Sequence, residues 1–524
     1  MQKQADMSYL IGFCIPDQVL LLNSLGGSSS TPTLGSSIAW NFPEDSNEDE
    51  VDIDKLGIGT LSGYDELGDI SKIKYASSLS KDQTIQLKSI IADHAEAFGD
   101  VSRVLAKVPP GRIELKPETP PYIRGYKPLM KPEAKDYIEK NILHRLEALG
   151  IVIPYVPPAN GAFVASPTLA AEAGKMDAEG KSIYRMVVAP TQVNKITIPV
   201  FSAVPLDVMQ HQRALGGSKF LGSFDLSKCF FQLPLDPTSQ YLTSFITPDG
   251  RHMMFTRLPM GAQQSPGLSS QSLTSVFHDS CILYVDNLDF GAETFEEFCV
   301  KLVSILSRAI KFGVKFSALK TFLGFSEIKT LDRIVSGDKI TLAPESIVEV
   351  QKWQRPSSKK GLQGFIGSVN QHRDFVSGLG LAMAPLTRVT GKGIDGKKLE
   401  WSASLNEAFE QVKSKFGDIQ PIYQIVPGIP IEIFSDASLL GIGAVLTQVV
   451  EGVRRTVAYI SHAFSDVQSC NRAGQPLNKK HSLSFMQSQN GGLIFYRLRL
   501  KCTRIIAISH SSSTRPLVKS FDGV

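Results

Sequence analysis

Cysteine is scarce in this chain. Six residues in 524, at positions 14, 229, 281, 299, 470 and 502, form no Cys-x-x-Cys pair and no closely spaced set. That excludes a disulfide framework and a zinc ribbon, and it points to a reducing, intracellular setting, cytoplasmic or nuclear. Long apolar runs are lacking as well. The most apolar N-terminal stretch, Leu10 to Leu25, is broken by Pro16 and Asp17 and has no basic segment before it, so neither a secretory signal nor a membrane span is expected. No internal repeat is visible. Apolar residues make up 42% and charged residues 20% of the chain, which excludes collagen-like, mucin-like and wholly disordered classes. The length predicts about three or four domains with cores of ordinary size.

Neither sign of charge dominates overall, since 55 Lys and Arg face 51 Asp and Glu for a net of +4. The mean hides an asymmetry. Residues 1–100 hold 6 basic and 16 acidic residues, a net of −10, and the remaining 424 hold 49 and 35, a net of +14. The acidic part includes Ser/Gly/Thr-rich sequence from Gly26 to Ser37 and a cluster from Glu44 to Asp54 in which seven of eleven residues are acidic. Such a segment buries too little apolar area to offset the entropy of ordering, and it reads as a flexible acidic leader. Residues 301–360 carry 12 basic against 5 acidic residues, a surface suited to a phosphate backbone.

Order is expected from about Lys81. Ile85, Leu87, Ile90, Ile91 and Phe98 fall at near-helical spacing, and a Pro-rich extended stretch runs from Pro109 to Pro128. An amphipathic helix follows from about Pro132 to Leu149, stopped by Gly150. From Ile151 to Asp289 short strands alternate with helices. Residues 293–375 read as largely helical, with a strand pair around Thr330–Leu342 marked by Ser336-Gly337-Asp338. A second α/β pattern opens at Ile429, after the break from Pro421 to Pro430.

Two segments carry candidate chemistry. Residues 223–233, Ser-Phe-Asp-Leu-Ser-Lys-Cys-Phe-Phe-Gln-Leu, read as a strand ending near Asp225 and then a turn into a short helical piece. Residues 282–289, Ile-Leu-Tyr-Val-Asp-Asn-Leu-Asp, read as a hairpin with Asp286 and Asn287 at its tip. Carboxylates at the ends of two adjacent strands can share divalent cations that activate a 3′-hydroxyl and clamp a triphosphate. Magnesium needs few protein ligands for this, because substrate phosphates and water complete its shell. An isolated pair of aspartates is more often structural, so the neighbouring motifs decide the matter.

Those neighbours resemble, in order along roughly residues 84–465, the reverse transcriptases of gypsy-type LTR retrotransposons. Phe224-Asp225-Leu226-Ser227 resembles the first aspartate motif of that family, and Tyr284-Val285-Asp286-Asn287 occupies the place of its Tyr-x-Asp-Asp hairpin. Leu258-Pro259-Met260-Gly261 through Ser265-Pro266 is similar to the loop that positions template and nucleotide. Tyr184 to Val188 with Val193-Asn194-Lys195 resembles the fingers, and Trp353 to Phe375 the thumb and connection. The resemblance implies an α+β fold: a right-hand polymerase of fingers, palm and thumb, followed by a truncated α/β ribonuclease H-like domain. After the acidic leader (1–80), it divides the chain into fingers with an N-terminal arm (81–215), palm (216–335), thumb and connection (336–420) and an incomplete ribonuclease H-like domain (421–524).

The same resemblance implies roles. Asp225, Asp286 and the Leu226 carbonyl are the expected ligands of Mg2+ (or Mn2+), and Asn287 stands where a second aspartate is usual. Lys181 and Arg185 are the expected triphosphate contacts, Phe230 the ring that blocks a ribose 2′-hydroxyl, and Gly261 the point of close backbone approach. Asp289, two residues past Asn287 on the same strand face, is a candidate to compensate for the missing charge. The implied partners are an RNA or DNA template with its primer and deoxynucleoside triphosphates, with no membrane; nothing in the sequence speaks to oligomeric state.

The ribonuclease H part departs further. Residues 431–438 and 441–446 resemble its first strands, with Asp436 as the first metal carboxylate. His481 stands on the expected helix where Glu is usual, and Ser509 on the strand where Asp is usual, so ribonuclease H activity is expected to be lost. No Asp-Thr/Ser-Gly protease signature, zinc knuckle or His-His-Cys-Cys set is present, and the chain therefore resembles a polymerase segment of a larger polyprotein, or a relic of one. The main expectation is an RNA-directed DNA polymerase. The competing readings are a catalytically decayed fragment that binds nucleic acid without synthesis, and a host protein using the acidic leader as an interaction tail.

Overall fold

The computed structural model describes residues 68–463, apart from 102–103, 118–131, 159–162, 164, 166, 177–181, 189, 201–207, 278, 391–398 and 438–440; outside that span it describes only short strands between 14 and 19 and between 481 and 520. The described chain divides into two compact units, one built from residues 68–206 and 220–325, the other from 208–219 and 326–520.

The first unit begins with β1 (Lys74–Tyr75) and α1 (Lys81–Asp93), whose start is fixed by a capping box between Ser80 and Gln83. Residues 70–75, which composition assigned to the leader, are ordered: β1 pairs in parallel with a strand of the main sheet. The amphipathic helix forms as three continuous segments, Pro132–Tyr137, a wider turn Ile138–Leu143 and His144–Ala148, together α2. Then come β2 (Val152–Pro154), the hairpin of β3 (Pro167–Met176) and β4 (Ser182–Val188), and the short α3 (Thr191–Ile196).

The central element is β5 (Phe220–Asp225), followed by β6 (Phe245–Ile246), β7 (His252–Phe255), α4 (Ser265–Phe277), β8 (Ile282–Tyr284), β9 (Asn287–Ala292), α5 (Phe295–Phe312) and β10 (Phe322–Phe325). The main sheet has the order β8-β9-β5-β10-β1, antiparallel except at the β10–β1 edge. One face of it is a phenylalanine core: Phe224 stacks on Phe316 with centroids 4.5 Å apart, and Phe290 stacks on Phe298 at 4.8 Å. Helix α5 covers this face because Phe298, Cys299, Leu302, Ile305, Leu306 and Ala309 recur at helical spacing and are all buried. It starts at a Thr294 cap and stops at Gly313, whose φ of 71° needs glycine. The smaller sheet β2-β7-β6 packs with Ile138, Leu143, Ile151 and Val188 into a second core.

The second unit holds β11 (Glu327–Thr330), β12 (Arg333–Ser336) and β13 (Lys339–Leu342), then α6 (Pro344–Lys352), α7 (Lys359–Asn370), α8 (Leu379–Arg388) and α9 (Ala403–Lys415). β14 (Ile422–Tyr423) completes a four-stranded sheet, β11-β12-β13-β14. The stretch 322–342 is therefore four strands, where one strand pair in a mostly helical region was expected. Alternating buried and exposed residues along each of β11, β12 and β13 explain the difference: a period of two over four residues is too short to stand out beside long helices. A further sheet starts with β15 (Glu432–Ala437), β16 (Gly441–Val450) and β17 (Val453–Ala463), in the order β17-β16-β15.

Candidate active site

β5 and β9 run antiparallel with Asn287 opposite Asp225, Leu288 opposite Phe224 and Asp289 opposite Ser223. The hairpin from β8 to β9 turns through Val285 and Asp286, and Tyr284 pairs with Asn287 across it. The two strand ends that carry Asp225 and Asp286 are thus brought side by side, and the Leu226 N–H donates to the Asp286 carbonyl at 2.9 Å. Val285 turns at φ 56°, a left-handed conformation costly for a β-branched residue, and this tight turn presents Asp286 at the tip. The Asp225 carbonyl accepts from Ser317 N–H at 2.9 Å, so the strand end is held from the β10 side too.

The Asp225 carboxylate is mostly enclosed, with 17% of its side chain exposed, and receives the Lys320 ammonium at 3.0 Å on Oδ1 and 2.9 Å on Oδ2. Asp286 is open to solvent at the tip yet walled by protein on several sides. That enclosure pushes its carboxyl above the ordinary range, Asp225 adds a second push by like-charge repulsion, and Lys320 opposes both. Two carboxylates in mutual repulsion beside one cation form a concentrated negative site. Among the described residues no group of three or more His, Cys, Asp or Glu side chains is gathered for a metal. Two carboxylates and a carbonyl suit a hard cation that takes its remaining oxygens from substrate and water, and they do not suit zinc.

Asn287 opens β9 directly opposite Asp225 and is half-buried. Asp289 does not replace the missing charge: it is fully buried, two pairs further down the ladder opposite Ser223 and Ile282. Its position on the same strand face was legible, but a strand advances about 7 Å over two residues, which takes it away from the tip.

Phe230 sits on a single 3-10 turn, Cys229–Gln232, directly after the Asp225 strand, and is half-buried against the main core. Gly261 has φ 97°, which only glycine adopts without strain. Its carbonyl accepts from Asn194 Nδ2 at 3.0 Å, while Asn194 Oδ1 accepts from Gln263 N–H at 2.9 Å, tying this loop to α3. Ser265 Oγ donates to the Pro259 carbonyl at 2.8 Å at the head of α4. Arg185 lies on β4 opposite Ala170. Lys181 lies outside the described residues.

Sequence reasoning missed Lys320. The basic count of residues 301–360 includes it, but nothing local separates it from its neighbours, because its partner lies 95 positions away.

In the last part of the chain, Asp436 stands on β15 opposite Gly443. His481 opens a strand, His481–Gln489, paired only with Gly492–Leu500 among the described residues. A helix was expected there; the alternation Leu483, Phe485 with Ser482, Ser484 is a strand's period, not a helix's. Ser509 ends the strand Ile506–Ser509, which pairs with β15 through Ile506 and Ile433.

Comparison with known proteins shows what this arrangement of carboxylate strands and helices is similar to. Residues 175–340 match the family described as reverse transcriptase (RNA-dependent DNA polymerase), and residues 401–474 match the RNase H-like domain found in reverse transcriptase. The chain is 25% identical to the retrovirus-related Pol polyprotein from transposon gypsy of Drosophila melanogaster, over 78% of this chain and 40% of that protein. It is 25% identical to the Pol polyprotein from transposon opus of the same organism, over 61% of this chain and 32% of that protein. The Gag-Pol polyprotein of koala retrovirus is 27% identical over 69% of this chain and 21% of its own length. The chain thus spans well under half of these relatives. Its fold resembles the foamy viral protease-reverse transcriptase solved with an RNA/DNA hybrid (TM-score 0.63, 21% identity, 79% of this chain and 54% of that one). The foamy viral protease-reverse transcriptase dRH solved with double-stranded DNA is similar to the same degree (TM-score 0.63, 22% identity, 76% and 67%).

Proposed function

We propose that this chain is an RNA-directed DNA polymerase that extends a primer 3′-hydroxyl on an RNA or DNA template with deoxynucleoside triphosphates. The observation that carries the reading is the register of β5 against β9, which sets Asp225 beside the turn that presents Asp286. Asp225, Asp286 and the Leu226 carbonyl would hold magnesium or manganese, which supplies positive charge for ionising the 3′-hydroxyl and for balancing the triphosphate. Lys320, half-exposed beside Asp225, adds a cation at the same place, and Arg185 with Lys181 would neutralise the phosphates from the fingers. Phe230 would close the sugar position against a 2′-hydroxyl, and the Gly261 loop, free of a Cβ, would lie against the nascent pair. The excess of basic over acidic residues in 301–360 supports a grip on the nucleic-acid backbone. No helix among the described residues is long and apolar enough to cross a membrane.

The ribonuclease H-like part keeps one acidic candidate, Asp436, with His481 and Ser509 at the other two positions. One carboxylate does not hold the two metals that RNA hydrolysis needs, and the proposal is that this activity is lost. A single assay tests both statements. With a labelled RNA template and a DNA primer in magnesium, the expected result is primer extension without template cleavage, and a drop of at least ~1000-fold in extension for Asp225→Asn. Equal extension by Asp225→Asn would refute the metal role; template cleavage that survives purification would refute the loss.

A further inference from the structure

The turn between Asp225 and Phe230 is held by a group from a distant part of the chain. Lys228 occupies a left-handed conformation, φ 45° and ψ 51°, which non-glycine residues avoid. Its Nζ reaches the Asp100 carboxylate at 3.0 Å. The same carboxylate also pairs with Arg145 of α2 and accepts from the Val101 N–H at 2.7 Å. Only 14% of the Asp100 side chain is exposed, and 27% of each cation, so the cluster is largely withdrawn from water. Asp100 is itself fixed: Phe98 bridges to Phe316, and the Gly99 N–H donates to the Phe316 carbonyl at 3.0 Å. Phe316 in turn bridges to Leu226.

The far end of the turn is clamped just as firmly. Gln232 donates to the Ser227 carbonyl at 2.6 Å and the Lys315 carbonyl at 2.9 Å, and accepts from the Lys315 N–H at 2.7 Å. Arg257, fully buried, donates to the Phe231 carbonyl at 2.6 Å and the Leu149 carbonyl at 3.1 Å. Both ends of the turn are therefore held by partners outside it, and its strained residue, Lys228, is held by an ion pair.

We infer that Asp100 is a positioning residue for sugar selection. By holding Lys228 in its left-handed turn, it sets the separation between the metal-binding carboxylate of Asp225 and the ring of Phe230. The inference rests on the polymerase reading, and it goes beyond it by assigning discrimination between deoxyribose and ribose partly to a residue outside the polymerase motifs. A strained turn released from its anchor relaxes toward the ordinary backbone regions. Phe230, two residues on, then loses its fixed place, while Asp225 stays in its strand.

The test is single-nucleotide incorporation by the full chain on poly(rA) with a DNA primer, comparing dTTP with UTP. Asp100→Asn is expected to lower the ratio of kcat/KM for dTTP over UTP by at least about tenfold, chiefly through a higher kcat/KM for UTP. Asp100→Glu is expected to recover most of the ratio. Lys228→Met is expected to reproduce the Asp100→Asn ratio, with no further loss in the double variant. A purely structural role for Asp100 would lower both nucleotides together, so an unchanged ratio overturns the inference. Hydrogen exchange supplies a readout that needs no activity: amides of residues 226–232 are expected to exchange faster in Asp100→Asn, with those of α9 unchanged. Equal exchange at 226–232 overturns the inference as well. If the natural chain incorporates neither nucleotide, the polymerase reading fails, and the exchange measurement alone decides whether Asp100 fixes the turn.

Discussion

Asp286 carries its negative charge against two opposing influences, enclosure by the protein and the neighbouring charge of Asp225. A carboxyl whose pKa is raised on folding binds its proton more tightly in the folded state, so its ionised form lowers stability above that pKa. The consequence is a separation of stability from function. Asp286→Asn is expected to abolish primer extension while leaving Tm at neutral pH no lower than that of the natural chain, as read by thermal denaturation. A clear fall in Tm would mean that Asp286 is a structural residue. Asp225 and Asp286 were legible in the sequence because each sits inside a motif whose neighbours are informative. Lys320, Asp100 and Arg257 were not, because each acts on a partner far along the chain, 95 positions for Lys320 and Asp225 and 128 for Asp100 and Lys228. Only folding makes those residues neighbours.

The elements that set the site are β5 and β9, and their close approach has a specific requirement at Gly222. A Cβ there would lie 2.3 Å and 2.4 Å from two ring atoms of Phe290, which itself stacks on Phe298. The ring has nowhere to go in a packed aromatic core, so Gly222→Ala is expected to destabilise the first unit by about 1–3 kcal/mol. Chemical denaturation measures this, and a change below half that range would show that the core yields. In the second unit, His372 is buried edge-on to Phe416. Burial, and then the Arg333 charge, hold its pKa down to about 4, with Asp332 acting weakly the other way. The folded state therefore keeps His372 neutral where the unfolded chain takes up a proton. Stability is expected to fall as pH drops from about 6.5 toward about 4, and this slope should be smaller in His372→Gln. Identical slopes in pH-dependent denaturation would remove His372 as the cause. The helices α1 and α2 were legible from their period and the pair β12–β13 from its turn; β10 and β11 were not, since a strand of four residues offers only two repeats of its pattern.

On the scale of the molecule, the near-neutral net charge proved a poor description. The acidic excess lies in the first hundred residues and the basic excess in the polymerase and ribonuclease H-like regions. The end of the acidic part, residues 70–75, is ordered, with β1 joining the main sheet, so it serves the fold and not only solvation. The polymerase architecture could be anticipated because its motifs occur in order along the chain. The ribonuclease H-like region was legible in its first strands alone, and the match to that domain covers residues 401–474. A charged grip and an intact palm can outlast catalysis, so the central claim is that catalysis is retained despite Asn287. The most direct measurement is magnesium-dependent primer extension on poly(rA), comparing the natural chain with Asn287→Asp and Asp225→Asn. The account predicts measurable extension by the natural chain, a rate higher by on the order of tenfold for Asn287→Asp, and none for Asp225→Asn. Extension by Asn287→Asp alone, with the natural chain inert, would contradict it.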